Sequence, residues 1–343
     1  MKITLVIPAV QSAPTDRPIR CPYCPSPYIA RHGVLRKPVT DTKTASVTVV
    51  RYRCSGCGRT FRHYPTGVSR ARQTQRLVAL AAVMYSLGLS CSATAHLLQL
   101  QEAGIAAVTV WRDAQALGQR LRQRPRRSGT VPVLGADETY VRVRGRTVCL
   151  GVVTDAQTGD TLGVDILVTQ DAVAFLRWLQ DFVRDLGVHV LVTDDLSTYK
   201  PVAERLGIQH QVCIAHVRKN VTKRLRDLPG QEAVKEAVRE LVRDFPPWGE
   251  RALRDLAKTL RHNVPWRRFL SDLAEKWHSL RRFQENPAVP ATNNVTERAI
   301  GRSKVRYKTV RGFKSEQGML NLFALTQWLY TPQPVHDLPA LVS

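Results

Sequence analysis

Three carboxylates stand where this chain could hold metal ions. Asp194 follows the apolar run VHVLV, Asp137 lies in the apolar stretch VPVLGADETYV, and Glu297 sits among basic residues in NNVTERAIG. A buried strand with an acid at its tip fixes a hard oxygen ligand in space. Mg²⁺ takes few carboxylates and completes its shell with water and substrate phosphates. Two divalent ions about 4 Å apart can activate a water or a 3′-hydroxyl and stabilise the leaving oxygen of a phosphodiester. One acid bridging both ions, with one more acid on each, meets that need. Asp137 is the expected bridge, and Asp194 and Glu297 are each expected to hold one Mg²⁺ or Mn²⁺. A single Asp at a strand end is ordinarily a turn or cap residue, so it is the set of three that points to chemistry. Two neighbours need separate roles. Glu138 is expected on the opposite face of its strand, and Asp195 is expected to cap the helix that follows.

Charge narrows the substrate class. The chain has 343 residues, with 51 Lys and Arg against 28 Asp and Glu, a net charge of +23. Such an excess suits a polyanion, because neutralising phosphates releases condensed counterions. No apolar stretch approaches the ~18 residues of a membrane span. Four of the seven cysteines form two C-x-x-C pairs, Cys21/Cys24 and Cys54/Cys57. Each short spacer lets both thiolates reach one ion, and four sulfurs close a tetrahedral Zn²⁺ site. The alternating SVTVVRYRC just before Cys54 is the strand pattern of a zinc ribbon. A redox dithiol would need one pair only.

The elements that must position these groups follow in chain order. Residues 1–66 read as the zinc ribbon and 67–128 as a helix-turn-helix DNA-binding domain. In the latter, Leu77, Leu80, Ala81, Met84 and Leu87 recur at helical spacing. Ser90 or Ser92 can cap a second helix. A third has Thr109 as its expected N-cap and Trp111, Ala114, Leu117 and Leu121 facing inward. The basic tail 120–127 and Pro125 mark a linker. From Val131 the period changes to that of strands. Three strands, VPVLGADETYVRV, RTVCLGVVTD and TLGVDILV, precede a helix with Phe175, Leu179, Phe182 and Leu186 on one face. The strand that ends at Asp194 comes next. This β-β-β-α-β order is that of the RNase H-like fold, in which the first and fourth strands are neighbours. Asp137 and Asp194 should therefore lie side by side. Residues 129–216 form the first part of this core, with a fifth strand in 208–217. Residues 217–286 read as a helical insertion, and 287–343 as the last part of the core with a loose tail. The fold class is α/β multidomain.

Three motifs carry a family resemblance: Cys213-x-x-His216 in VCIAHVRKN, the block NNVTERAIG with Asn293, Asn294 and Glu297, and RGFKSEQG. Over most of its length the chain resembles a bacterial insertion-sequence transposase of the DDE type, with the Cys-x-x-His motif found in relatives of the Mutator-like elements. The resemblance implies an enzyme with two Mg²⁺ or Mn²⁺ ions on Asp137, Asp194 and Glu297, and one structural Zn²⁺. It implies cleavage at the ends of an insertion sequence and joining of the 3′-OH to target DNA. Double-stranded DNA, a homo-oligomer assembled on it, and a bacterial cytoplasm follow. Asn293, Asn294, Cys213 and His216 would support the site, the last two by positioning, because a Cys–His pair alone is half a metal site. Arg298, Arg302, Lys304, Arg306, Lys308, Arg311 and Lys314 form a basic run expected to track phosphates beside Glu297. Two rival readings share these features: a DNA-binding regulator with a decayed catalytic fold, and an RNase H-like nuclease without strand transfer.

Overall fold

The computed structural model describes residues 4–124, 129–309, 312–331 and 335–342, without the side chains of Val305, Arg306, Lys308 and Val335. Arg306, Lys308 and Arg311 of the basic run, and Arg126 and Arg127 of the linker, therefore lie outside the described side chains. The chain divides into two compact units. One is Met1–Arg124 with Ser303–Ser343, and the other is Pro125–Arg302.

The first unit opens with a short strand β1 (Thr4–Val6). An antiparallel sheet follows, with β3 (Ser46–Cys54) between β2 (Ile29–Pro38) and β4 (Thr60–His63). Alternation along β3 splits its side chains between two small cores. Val47 and Val49 pack with Val39 and Val68, while Tyr52 and Cys54 pack with Cys21, Ile29 and Phe61. Three helices come next: α1 (Gln75–Ser86), α2 (Cys91–Gln99) and α3 (Ala107–Gln123). Thr74 and Ser90 cap the first two through their hydroxyls. The third differs from the sequence expectation. Its N-cap is Ala106 rather than Thr109, and Trp111 is 46% exposed. The inward stripe is Val110, Ala114 and Leu117, a spacing of four and three, and Trp111 lies about 100° round the helix from Val110.

The second unit is built on a five-stranded sheet. Its strands are β5 (Val133–Val143), β6 (Arg146–Asp155), β7 (Thr161–Leu167), β8 (Val190–Thr193) and β9 (Gln209–Val212). The order across the sheet is β7-β6-β5-β8-β9. The first three strands form an antiparallel meander, and β8 and β9 run parallel to β5. This is the RNase H-like arrangement. Helix α4 (Ala172–Leu186) makes the crossover to β8, burying Phe175, Leu179, Phe182 and Leu186. Asp171 caps its start and Gly187, in the left-handed region at φ 63°, ends it. Helix α5 (Tyr199–Leu206) links β8 to β9.

The chain then leaves the sheet through α6 (Ile214–Asp227), α7 (Glu232–Asp244), α8 (Gly249–Thr259), α9 (Val264–Glu275) and the single turn α10 (Arg282–Glu285). These helices share a core centred on Trp266 and Trp277. Both indole N–H groups donate to carbonyls, of Pro229 and Pro246, at 3.2 and 3.0 Å, so each large ring is buried without an orphan donor. Helix α11 (Asn294–Thr309) returns to the sheet.

Helix α12 (Glu316–Tyr330), β10 (Val335–Asp337) and α13 (Pro339–Val342) complete the first unit. Where it is described, at 335–342, the tail expected to be loose is ordered. β10 pairs in parallel with β1, and Leu322, Leu325, Leu338 and Leu341 are buried in the same core as Leu77, Leu98 and Leu117. The sequence grouping of 287–343 with the catalytic core differs from this division, because the apolar face of α12 is buried by α1 and α3.

Candidate active site

Asp137 and Asp194 come together because β5 and β8 are adjacent. Val133, Leu134 and Gly135 pair with Val190, Leu191 and Val192, so the next residues of both strands arrive at the same edge. Asp194 lies one residue beyond β8. Its carboxylate accepts the backbone N–H of Leu196 at 3.1 Å, which turns the chain sharply toward α5. Asp137 accepts the N–H of Glu138 at 2.8 Å.

Glu297 reaches this edge through the first turn of α11. The buried Asn293 donates its side-chain amide to the carbonyl of Ala136 at 2.9 Å, and its own carbonyl accepts from Glu297 N–H at 3.1 Å. Thr296 meets Thr154 of β6 hydroxyl to hydroxyl at 2.8 Å. Gly135 leaves the room for this approach. A Cβ there would lie 2.3 Å from the Thr296 hydroxyl and 2.7 Å from that of Thr154. Asn294, the next residue, is exposed at the start of α11.

The electrostatics are those of acids gathered in a partly dry place. Burial, and then the charge of Asp194, push the Asp137 carboxyl up to about 6. Burial raises Asp194 too, and the nearby acids Asp195 and Glu297 add to it. Glu138 departs from expectation. Its carboxylate accepts from the hydroxyl of the fully buried Tyr199. Ligand atoms of Asp137, Glu138 and Asp194 lie within 4.8 Å of one another. Burial raises Glu138 to about 7. Three close oxygen donors, all held above their ordinary range, fit a hard divalent cation, whose charge would relieve both desolvation and repulsion.

Asp195 does not cap the next helix. It forms an ion pair with Lys276 at 2.7 Å and accepts from the Asn220 amide at 3.1 Å, both partners coming from the helical insertion. A cavity of about 500 Å³ opens beside it, lined by Arg224, Arg268 and Phe269 among others. Asp195 is thus neutralised locally while Asp194 is not, so the two adjacent acids are distinct electrostatically. Tyr199, Lys276 and Asn220 escaped the sequence reading. Tyr199 had a faint signal, since it shares the Asp194 segment; the other two had none, because they lie far away on the insertion.

Glu297 also has company from the start of α6. Its carboxylate is 3.6 Å from Nδ1 of His216, and Cys213 completes a group whose ligand atoms fall within 4.8 Å of one another. Among the described basic residues, Arg298 and Lys314 are exposed, and Arg302 and Lys304 are half-buried.

The four N-terminal cysteines cluster as expected. Sγ of Cys21 is 3.8 Å from that of Cys57, and Cys24 is 3.6 Å from Cys54. A tetrahedron with Zn–S bonds of about 2.3 Å has edges of about 3.8 Å. Four sulfurs at that spacing fit one Zn²⁺. Gly58, at φ 71°, lets the second knuckle turn, and its N–H returns to the carbonyl of Cys54 at 3.0 Å.

An RNase H-like sheet with two Asp residues on neighbouring central strands and a Glu on a later helix defines the DDE class of transposases and integrases. The profile of the transposase IS66 family matches residues 71–245 and 231–321, well over half of the chain. The chain belongs to the IS66 family of transposases. No curated protein sequence matches it. Among solved structures it is similar to the Drosophila P element transposase strand transfer complex, at 12% identity over 75% of this chain and 92% of that one, with a TM-score of 0.41. The catalytic core domain of BIV integrase is similar over 30% of this chain and 78% of that one, at 12% identity and a TM-score of 0.20. The strand order β7-β6-β5-β8-β9 by itself makes the sheet RNase H-like. Among the described residues, no helix is long and apolar enough to cross a membrane.

Proposed function

We propose that this protein binds the ends of an insertion sequence, cuts them, and joins the freed 3′-OH to target DNA. The observation that supports this most is the meeting of acids from distant segments, Asp137 on β5 and Asp194 after β8, at the edge to which α11 brings Glu297. Asp137, Asp194 and Glu297 would hold two divalent ions between them. When bound, Mg²⁺ or Mn²⁺ activates the attacking oxygen and neutralises charge at the scissile phosphate. The residues of this chain fix the geometry. Asn293 holds the first turn of α11 against β5. Lys276 and Asn220 keep Asp195 turned away from the site. Arg298, Arg302, Lys304 and Lys314, with Arg306, Lys308 and Arg311, would carry the DNA strand past Glu297 by its phosphates. The zinc ribbon and the helices α1–α3 would read the element's ends, with α3 as the recognition helix. Two ends must be held for joining, so the working species would be an oligomer on DNA.

The test is cleavage of an end-bearing duplex and joining of a labelled end to a plasmid in Mg²⁺. Asp137→Asn, Asp194→Asn and Glu297→Gln should each abolish both steps while DNA binding, read by mobility shift, persists. If all three variants still cut and joined, the carboxylate mechanism would be wrong. Cleavage by the wild type without joining would instead favour the nuclease reading.

A further inference from the structure

Cys213 and His216 gain a third partner that their spacing alone does not reveal. Cys213 is fully buried at the N-cap of α6, where its side chain makes no capping hydrogen bond. His216 sits three residues on, in the first turn, so both side chains leave the helix on one side. Nδ1 of His216 is buried with no hydrogen-bond partner. It faces the Glu297 carboxylate at 3.6 Å. The start of α6 is tied to the segment before α11 by the N–H of Ile214 donating to Ala291 at 3.0 Å, which fixes the two helix starts relative to each other. The sulfur, the imidazole nitrogen and the carboxylate oxygen all lie within 4.8 Å of one another.

These are the wrong donors for Mg²⁺ and the right ones for a softer ion. Thiolate and imidazole select Zn²⁺ or Co²⁺ over Mg²⁺. A tetrahedral ion with Zn–N and Zn–O bonds of about 2.1 Å separates N and O by about 3.4 Å. The observed 3.6 Å needs almost no movement. Three protein ligands leave one position open, which suits an exchangeable ion more than a structural one. We propose that Cys213, His216 and Glu297 form a second transition-metal site, separate from the four-cysteine site, whose occupation withdraws Glu297 from the carboxylate centre. The binding claim stands on this geometry alone. The withdrawal claim rests on Glu297 serving the proposed transposase reaction.

The experiment uses the full chain with one Zn²⁺ already in the four-cysteine site. Titration with Co²⁺ should produce a thiolate-to-cobalt charge-transfer absorption that saturates at one further equivalent. Cys213→Ser, a near-isosteric change at a buried position, should abolish that band with the fold intact by circular dichroism. His216→Ala and Glu297→Gln should each weaken Co²⁺ binding about tenfold or more, a loss that even outer-shell changes produce at metal sites. No band in the wild type, or the same band in Cys213→Ser, would overturn the site. For the withdrawal claim, Zn²⁺ is added to Mg²⁺-dependent cleavage, and each variant is compared with itself without Zn²⁺. Wild type should be inhibited, and Cys213→Ser should need about tenfold more Zn²⁺ for the same fractional loss. Equal sensitivity would refute withdrawal. The cobalt titration involves no DNA, so failure of the transposase reading would leave its result untouched.

Discussion

Burial holds the Glu138 carboxyl up at about 7, against the pull of the Tyr199 hydroxyl that donates to it. A carboxyl whose folded value is raised binds its proton more tightly in the native state. Its cost to stability is absent at low pH and grows as pH rises from the unfolded value through the folded one. Glu138→Gln removes the charge and keeps an acceptor for Tyr199. The variant should therefore unfold at higher denaturant than the wild type at about pH 8, by about 1–3 kcal/mol, and the gain should shrink toward zero at about pH 5. Chemical denaturation at the two values checks this; a gain larger at the lower pH would contradict the sign. At this scale Asp137 and Asp194 stood out as acids beside apolar runs, and β5 and β8 bring them to one edge. The partner of each was not legible. Nothing in DETY says that Glu138 stays within reach of Asp194, and nothing in TDDL says that Lys276, just past the end of distant α9, claims Asp195.

The element that delivers Glu297 depends on a contact without side-chain volume. Gly135 lets the first turn of α11 approach β5 and β6. Gly135→Ala drives a methyl against the Thr154 and Thr296 hydroxyls, which cannot both retreat without breaking their shared hydrogen bond. The expected cost is about 1–3 kcal/mol by thermal or denaturant unfolding. Strand joining should fall more than DNA binding does, because the helix that carries Glu297 is displaced. An unchanged stability would show that α11 is free to shift. The ribbon makes a parallel case. Its two knuckles flank the β2–β3 hairpin in sequence, and the pairing of Ile29 with Cys54 brings their four sulfurs to face one point. Cys54→Ser with Cys57→Ser should lower zinc by one ion per chain in elemental analysis. Unchanged zinc would sink the site.

Across the whole molecule, the first unit is discontinuous. Its core joins α1–α3 to α12 and α13, so the N-terminal helices and the C-terminal segment fold as one body. A fragment starting after residue 128 would keep α12 but lose its partners, exposing Leu322, Leu325, Leu338 and Leu341. We expect this fragment to aggregate, as read by size-exclusion chromatography. A monodisperse fragment would mean that α12 is stable without α1 and α3. The +23 charge of the full chain remains the broadest statement about its partner, and it belongs to composition rather than to any one face.

Local chemistry was written in short stretches of the chain: two cysteine knuckles, a β-β-β-α-β order, acids on or just after strands, and an Asn-Asn block before Glu297. Each is a short-range pattern, fixed by periodicity or by ligand spacing. Tertiary structure decided what meets what. It placed β5 beside β8, buried the C-terminal tail with the N-terminal helices, turned Asp195 to the insertion, and set Cys213 and His216 against Glu297. Such meetings join segments tens to hundreds of residues apart. They are settled by which apolar faces bury each other best, and a linear pattern does not encode that choice in any single stretch.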